Sequence, residues 1–205
     1  MKLEKNIIKR LLNDNQISLD KHPTKDVYLA NYTPKTKIKG VWNEYSLSCN
    51  GLVLDSDNNI IARPINKFFD INDVNNPEDV FELLETSEFD VFEHIDGKHI
   101  VVFYYNDEWI ITTKNSFYDV ENIKKAKVIL TDKGLEYLNE KLTYHFILVG
   151  PENRNIITYN KQDLILFSVI DTELNYEYLH EDIVGYYRNA FTIVKRYKKI
   201  NSLEQ

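Results

Sequence analysis

The strongest constraint on the fold is a series of short β-type segments between residues 89 and 170, separated by polar turn residues. Phe89–Ile95 is predicted to end at Asp96-Gly97, a pair typical of hairpin turns, and Ile100–Tyr105 is predicted to return alongside it. Four more strands are predicted after this hairpin, at Trp109–Thr113, Tyr144–Val149, Ile156–Tyr159 and Leu164–Ile170. Consecutive strands joined by such short turns pair antiparallel, so the pattern indicates an antiparallel sheet.

Helices are predicted before, between and after these strands. Apolar residues recur with helical spacing over residues 1–13, and Pro77–Glu85 begins with proline, which is favoured in a first helical turn. Further helices are predicted over residues 119–141, with a break in the second half, and over Asp182–Arg188. The remaining predicted elements are a strand at Asp26–Tyr32, a hairpin of Gly51–Asp55 with Ile60–Arg63, and a strand at Phe191–Tyr197. The sequence therefore predicts an α+β fold of antiparallel sheets with inserted helices, in a single domain over residues 1–205.

Composition excludes several classes of protein. Hydrophobic residues make up 43% of the 205 residues, which is too many for a mainly disordered chain. Cys49 is the single cysteine, which excludes an internal disulfide framework and a cysteine-rich zinc site. No apolar run approaches the ~20 residues of a membrane span, and no signal peptide is recognised at the start. These features predict a cytoplasmic globular protein.

The net charge of −7 is distributed unevenly along the chain. Residues 1–40 carry +5, residues 41–121 carry −13 and residues 122–205 carry +1. Long RNA binds through cations near its phosphates, so a strongly acidic middle segment disfavours it unless the few basic residues there meet in one cleft. The charge pattern favours a protein partner or a small nucleotide, with RNA as an open alternative.

Three segments, in the same order, resemble motifs of the nucleotidyltransferase domain of the phage RNA ligase 1 family. The first is Ser48–Asp55 followed by Ile61–Phe69, which contains the family's Arg-Pro-x-x-Lys-Phe-Phe pattern in full. The second is Glu93–Lys98, where the family has Lys-x-Asp-Gly, with Trp109–Ser116, where the family has a strand ending Lys-Gly-Ser. The third is His145–Tyr159, which is similar to the family's Phe-Glu-x-x-x-Pro-x-Asn-Arg-Ile-Val-x-Tyr. The resemblance implies the nucleotidyltransferase fold of this family.

In that family a lysine attacks the α-phosphate of ATP and forms a lysyl-adenylate, which passes to an RNA 5′-phosphate. A 3′-hydroxyl then displaces AMP, and metal ions and cations neutralise the triphosphate. Carried onto this chain, the resemblance places His94 at the position of the nucleophile. It implies nucleotide contacts from Asn50, Arg63, Lys67, Asp96, Gly97 and Lys114. ATP and Mg²⁺ are the cofactors that any remaining ligase activity would require.

The match fails at positions that carry the chemistry. His94 replaces the nucleophilic lysine, Asn50 replaces an arginine of the first motif, and Ile147 replaces the glutamate of the third. Imidazole can form a phosphoramidate, but it leaves the α-phosphate roughly 2–3 Å out of reach, where a displacement of ~1 Å already matters. The sequence ends at Gln205 before the family's Glu-Gly and Lys-x-Lys strands. We therefore expect one truncated domain with no separate C-terminal domain.

The candidate residues also have structural interpretations. A hairpin turn explains Asp96-Gly97, and Lys67 and Lys114 are explained as surface cations that balance the acidic segment. The five histidines show no metal-ligand spacing, so no metal site is predicted. Asx-rich turns explain the aspartates that could suggest a metal cluster, which are Asp55, Asp57, Asp70 and Asp73.

The sequence predicts a catalytically impaired, ligase-like protein that acts by binding a protein partner or a small nucleotide. Its abundance of Asn, Ile, Lys and Tyr is typical of AT-rich coding in phages, which favours a phage effector acting in the host cytoplasm. Two alternatives stay open. One is an active ATP-dependent RNA ligase or nucleotidyltransferase that uses His94 or a second polypeptide that supplies the missing motifs. The other is a structural subunit of an RNA repair complex.

Overall fold

Two sheets form the framework of the computed structural model, which describes residues 4–71, 77–87, 89–153 and 156–197. Sheet 1 contains, in spatial order, β1 (Ile17–Lys21), β2 (Val27–Tyr32), β3 (Asn50–Asp55) and β4 (Ile60–Ala62). Sheet 2 contains β5 (Lys98–Tyr105), β6 (Glu108–Thr113), β7 (Leu142–Val149), β8 (Asp163–Asp171), β9 (Tyr176–Glu177) and β10 (Thr192–Ile193). The spatial order of sheet 2 is β10-β8-β7-β5-β6, and β9 pairs with β8. All pairings are antiparallel apart from that of β10 with β8, which confirms the predicted antiparallel sheets.

Six α-helices are inserted among these strands in the described part of the chain. They are α1 (Lys5–Asn13), α2 (Pro34–Lys39), α3 (Glu44–Ser48), α4 (Pro77–Thr86), α5 (Val120–Lys133) and α6 (His180–Tyr187). Short 3-10 turns follow α5 at Leu135–Tyr137 and β7 at Pro151–Asn153. The α+β prediction is confirmed. Among the described residues, no helix is long and apolar enough to cross a membrane.

The two sheets pack face to face, and helices cover their outer faces. Between the sheets, Val27 and Val53 of sheet 1 pack in one cluster with Val101 and Phe103 of sheet 2. Successive residues of a strand point to opposite faces of the sheet. Ile100 and Val102 of β5 therefore lie on the outer face of sheet 2, where they pack against α5 and α6. On the outer face of sheet 1, α1 buries its apolar side against β1, β2 and β3. These three clusters fix the sheets as a sandwich.

Two short helices that hydrophobic periodicity does not predict are defined by their caps. Thr33 accepts a hydrogen bond from the backbone N–H of Thr36, Pro34 occupies the first turn of α2, and Gly40 closes it at φ 62°. Asn43 and Ser46 form a reciprocal capping box at the start of α3. Because α3 leads directly into β3, its capped start also fixes where Asn50 begins the strand.

Two of the predicted strands are wrong. Residues 89–97 do not form a hairpin with β5, because β7 occupies that edge of β5. Phe92 instead bridges to Arg196, and the predicted strand Phe191–Tyr197 is reduced to Thr192–Ile193. Residues 156–159 are a loop, because the Asp96 carboxylate accepts the backbone N–H groups of Ile156 and Ile157. The two errors have different causes, since another strand pairs with β5 in the first case and a side chain binds the backbone in the second.

A chain of hydrogen bonds joins the two sheets just after β4. The backbone N–H of Arg63 donates to Thr143 Oγ1 at 3.0 Å, and its carbonyl oxygen lies 2.9 Å from His145 Nε2. His145 Nδ1 in turn lies 3.0 Å from His99 Nε2 on the neighbouring strand. His145 is fully buried, so these bonds satisfy polar groups that water does not reach.

Replacing Gly97 by alanine is expected to destabilise the fold. A Cβ at this position would lie 2.5 Å from the carbonyl oxygen of Leu148 and 2.6 Å from Ile147 Cγ2, so the backbone of β7 would have to move. We expect a loss of ~1–3 kcal/mol in the free energy of unfolding, measured by urea denaturation. Gly185→Ala is the control, because no heavy atom lies within 4 Å of its added Cβ and alanine favours the helix. Equal stability of the two variants would contradict this assignment.

The hydrogen-bonded histidines His99 and His145 are expected to lower the free energy of unfolding in mild acid. Burial lowers the pKa of His145 from 6.5 to about 4, and burial is also the main cause that lowers the pKa of His99 well below its ordinary value. Between about pH 6.5 and 4 the unfolded chain binds more protons than the folded chain, so the free energy of unfolding falls as the pH falls. The His145 shift alone corresponds to about 3 kcal/mol across that window.

The measurement is urea unfolding of the wild type and His145→Phe at several pH values. The variant is expected to lose the bond to Arg63 at every pH, but to show a shallower dependence of stability on pH. An unchanged pH dependence would show that the His145 ring does not titrate as its burial requires.

Candidate functional site

A cavity of about 560 Å³ opens between the sheets, where the start of β3 faces sheet 2. His99, Ile147 and Phe167 form the wall contributed by β5, β7 and β8. Asn50 and Ile65 contribute from the sheet 1 side, and residues 92–95 and α6 close other sides. The lining is mainly apolar and aromatic with a few polar groups, a composition typical of small-molecule sites.

Lys114 and Asn50 form the main polar contact in this cavity. Lys114 Nζ donates to Asn50 Oδ1 at 3.0 Å, and Asn50 Nδ2 donates to the carbonyl oxygen of Ile65 at 3.0 Å. Gly51, at φ +102°, allows the close approach, since a Cβ there would lie 3.0 Å from Lys114 Cγ. The first and second sequence motifs therefore meet here, through residues 64 positions apart.

The electrostatics around Lys114 favour an anion. Burial lowers the pKa of Lys114, and the positive charges of Lys67 and Lys37 lower it further. No salt bridge among the described residues includes Lys114. An anion bound beside these cations would offset their mutual repulsion.

Lys67 lies near the cavity without lining it. Its Nζ donates to the carbonyl oxygen of Phe68 and lies 4.5 Å from the ring centroid of Phe69. Phe68 is 75% exposed and lines the cavity, which places an aromatic ring beside the basic group. The complete Arg-Pro-x-x-Lys-Phe-Phe motif therefore contributes one ring to the wall and one cation near it.

His94 lines the cavity and is exposed. It lies in the irregular segment that replaces the predicted strand, next to Glu93, whose backbone N–H donates to the carbonyl oxygen of Lys195. No hydrogen bond of its side chain to a described residue is present. The structure thus places the residue of the nucleophile position on the same cavity as Lys114 and Asn50.

The other predicted site residues lie elsewhere. Asp96 is buried and holds the loop at residues 156–157, while Gly97 lies against β7. Arg63 Nε donates to the carbonyl oxygen of Thr172 at 2.9 Å, and its side chain borders a separate cavity of about 200 Å³. These three residues are not among those that line the main cavity, and Asp73, one of the four aspartates that could suggest a metal cluster, lies outside the described residues.

Sequence reasoning missed several residues of the cavity. They are Phe167, Glu177, Tyr178, His180 and the partly buried His99. The sequence contains one signal for His99. It lies two residues from Val101 on the same strand, so it shares the inward face of β5 and is a polar residue on an otherwise apolar face. Among the described residues, no three His, Cys, Asp or Glu side chains are grouped so that they could hold a metal ion.

Known proteins with related sequences are RNA ligases. A sequence profile of the RNA ligase family matches residues 48–205. A predicted bifunctional polynucleotide kinase/RNA ligase of Autographa californica nuclear polyhedrosis virus is 22% identical over 182 residues. That match covers 78% of this chain and 26% of the viral protein.

Solved structures with a related fold are also ligases. An archaeal ATP-dependent RNA ligase matches with a TM-score of 0.64 and 12% identity, covering 97% of this chain and 51% of the ligase. An ATP-dependent DNA ligase assigned in Aquifex aeolicus gives a TM-score of 0.61 at 16% identity, covering 98% and 52%. The Naegleria gruberi RNA ligase E227A variant, solved with ATP and Mn, gives 0.50 at 15% identity, covering 61% and 41%.

The chain spans about half the length of the archaeal and Aquifex aeolicus ligases and about a quarter of the viral relative. The fold is the nucleotidyltransferase fold shared by these ATP-dependent ligases, as the resemblance implied. Since the family profile matches most of the chain, the protein belongs to the RNA ligase family.

Proposed function

We propose that this protein binds a small nucleotide in the main cavity without forming a covalent lysyl-adenylate. The observation that carries the proposal is the Lys114–Asn50 contact within an otherwise apolar cavity. The volume of about 560 Å³ is within the range of ligand pockets. The Naegleria gruberi ligase, which has a related fold, was solved with ATP, and this supports a nucleotide as the ligand class.

The cavity lining offers groups for both the phosphate and the base of a nucleotide. A phosphate beside Lys114 would also be attracted by Lys67 and Lys37, whose charges reach Lys114. A base would be enclosed by apolar and aromatic side chains such as Ile147 and Phe167. The acidic segment 41–121 disfavours phosphate binding unless its few basic residues lie together. Two of them, Lys67 and Lys114, do lie near each other.

The residue at position 94 is the reason for proposing that the protein does not become adenylated. The nucleophile of the resembled family is a lysine, and this chain has His94 at the cavity wall. A binding role that blocks or sequesters a partner in a phage–host setting is consistent with a nucleotide-bound, non-catalytic protein.

One observation favours the alternative of a catalytic histidine. His94 is exposed and shares the cavity with Lys114, so a bound nucleotide would lie within the same space as its imidazole. Attack on an α-phosphate would release pyrophosphate and leave a histidyl phosphoramidate. Labelling with ATP distinguishes non-covalent binding from attack by a catalytic histidine.

Lys114→Met is expected to weaken AMP binding at least tenfold. The substitution keeps much of the side-chain volume but removes the cation that faces the phosphate, and a charge-assisted hydrogen bond contributes about 1.5–3 kcal/mol. Isothermal titration with AMP measures the change. Lys127→Met on the exposed face of α5 is the matched control, because it makes the same charge change outside the cavity. Equal affinities in the two variants would contradict the assigned cavity.

Incubation with α-labelled ATP and Mg²⁺, followed by a denaturing gel, is expected to leave the wild-type band unlabelled. His94→Ala and His94→Lys are run beside it. A wild-type label that disappears in His94→Ala would establish a histidyl-nucleotide enzyme and overturn the non-covalent proposal. A label that appears only in His94→Lys would support it, since it would show a competent nucleotide site that lacks only its nucleophile.

A further inference from the structure

The hydrogen-bond chain that begins at the Arg63 carbonyl fixes which nitrogen of His145 carries its proton. A carbonyl oxygen can only accept, so the nitrogen 2.9 Å away, His145 Nε2, must carry the hydrogen. His145 is fully buried and burial holds its pKa at about 4, so the ring is neutral near pH 7. Its other nitrogen, Nδ1, therefore has a bare lone pair.

The tautomer of His145 determines that of His99 on the adjacent strand. His145 Nδ1 can only accept, so His99 Nε2, which lies 3.0 Å away, must be the N–H donor. The pKa of His99 is lowered by burial first, and then by His145 and Lys114, so this ring is also neutral. His99 Nδ1 is therefore left without a hydrogen and can act only as an acceptor.

This last nitrogen is available to a ligand. His99 lines the main cavity, and Nδ1 has no hydrogen-bond partner among the described residues. No buried side-chain nitrogen or oxygen of the described residues lacks a partner, so Nδ1 is accessible rather than enclosed. Turning the ring over would break the bond to His145, and Phe167 packs against the ring at 5.1 Å between centroids. The acceptor is therefore held in one orientation.

We propose that His99 is a specificity-determining residue that accepts a hydrogen bond from a hydroxyl or amino group of the bound ligand. This rests on the proposed binding of a nucleotide in the same cavity. A phosphate oxygen would meet the lone pair of Nδ1 unfavourably, so the anion is directed to Lys114 and the donor-bearing part of the ligand to His99. Ile147, paired with His99 across the strands, presents no competing polar group on this wall.

In a nucleotide, the donor is either a sugar hydroxyl or an exocyclic amino group of the base. Four probes separate these sources: AMP, 2′-deoxy-AMP, 3′-deoxy-AMP and purine riboside 5′-monophosphate, which lacks the amino group. The wild type is expected to bind AMP about five- to tenfold more tightly than the one analogue that lacks the recognised donor. The identity of that analogue names the source.

Variants of His99 test whether that preference belongs to this residue. In His99→Phe the preference is expected to disappear, because the acceptor is gone, whereas general damage to the cavity would weaken all four probes alike. In His99→Gln the preference is expected to persist. The amide N–H can donate to His145 Nδ1 while the amide oxygen faces the ligand.

A spectroscopic measurement keeps the test independent of how the variants fold. In wild-type protein labelled with ¹⁵N at histidine, His99 Nδ1 is expected to show the shift of an unprotonated nitrogen, and to move on addition of AMP but not of the discriminated analogue. Equal affinity of the wild type for all four probes, or a preference retained in His99→Phe, would overturn the role of His99 alone. A wild type that binds no AMP would overturn the proposed function, and the role of His99 with it.

Discussion

The contact between the Arg63 backbone and β7 is the interaction on which the arrangement of the two sheets and the cavity depends. Apolar packing between the sheets sets their separation, but it is non-directional and fixes no register. The bonds from Arg63 to Thr143 and His145 are directional and buried, so the end of β4 is held at one place along β7. The cavity lies next to this junction, because His99, which is bonded to His145, forms part of its wall.

This junction also gives a structural explanation for Arg63 that differs from nucleotide contact. Its backbone joins the sheets and its guanidinium donates to the carbonyl oxygen of Thr172. The Arg-Pro-x-x-Lys-Phe-Phe pattern thus carries two functions along seven residues of chain. Its first residue organises the sandwich, while Lys67 and Phe68 lie at or near the cavity.

Membership of the RNA ligase family fixes the fold but leaves the chemistry of this chain to its own residues. The cavity has a cation and a hydrogen-bonding amide in Lys114 and Asn50, and its wall includes His99, which is bonded to the buried His145. His94 stands where the resembled family has its nucleophile. A site that keeps polar recognition groups without the attacking amine is suited to binding, and this is the physical basis of the proposed function.

Local sequence signals determined the elements that need no distant partner. The helical spacing at the start of the chain corresponds to α1, and the polar turn after Asp55 corresponds to the β3–β4 hairpin. The family motifs also identified Lys114, Asn50 and His94 as residues of one cavity. The short helices α2 and α3 depend on caps rather than on periodicity, which is why the apolar pattern did not reveal them.

Only the tertiary structure decided the partners of the polar side chains. The sequence indicates Asp96 as a turn residue, but its carboxylate accepts the backbone N–H of Ile156, 60 residues away, in a segment that is a loop rather than the predicted strand. His99 and His145 lie 46 residues apart, and no pattern along the chain relates them. Hydrophobic periodicity reports which face of an element is buried, whereas a hydrogen bond depends on which atoms the folded sheets bring within about 3 Å. The sequence therefore determined the family, the fold class and most of the elements, while the folded sheets decided the tautomers, the junction and the polar wall of the cavity.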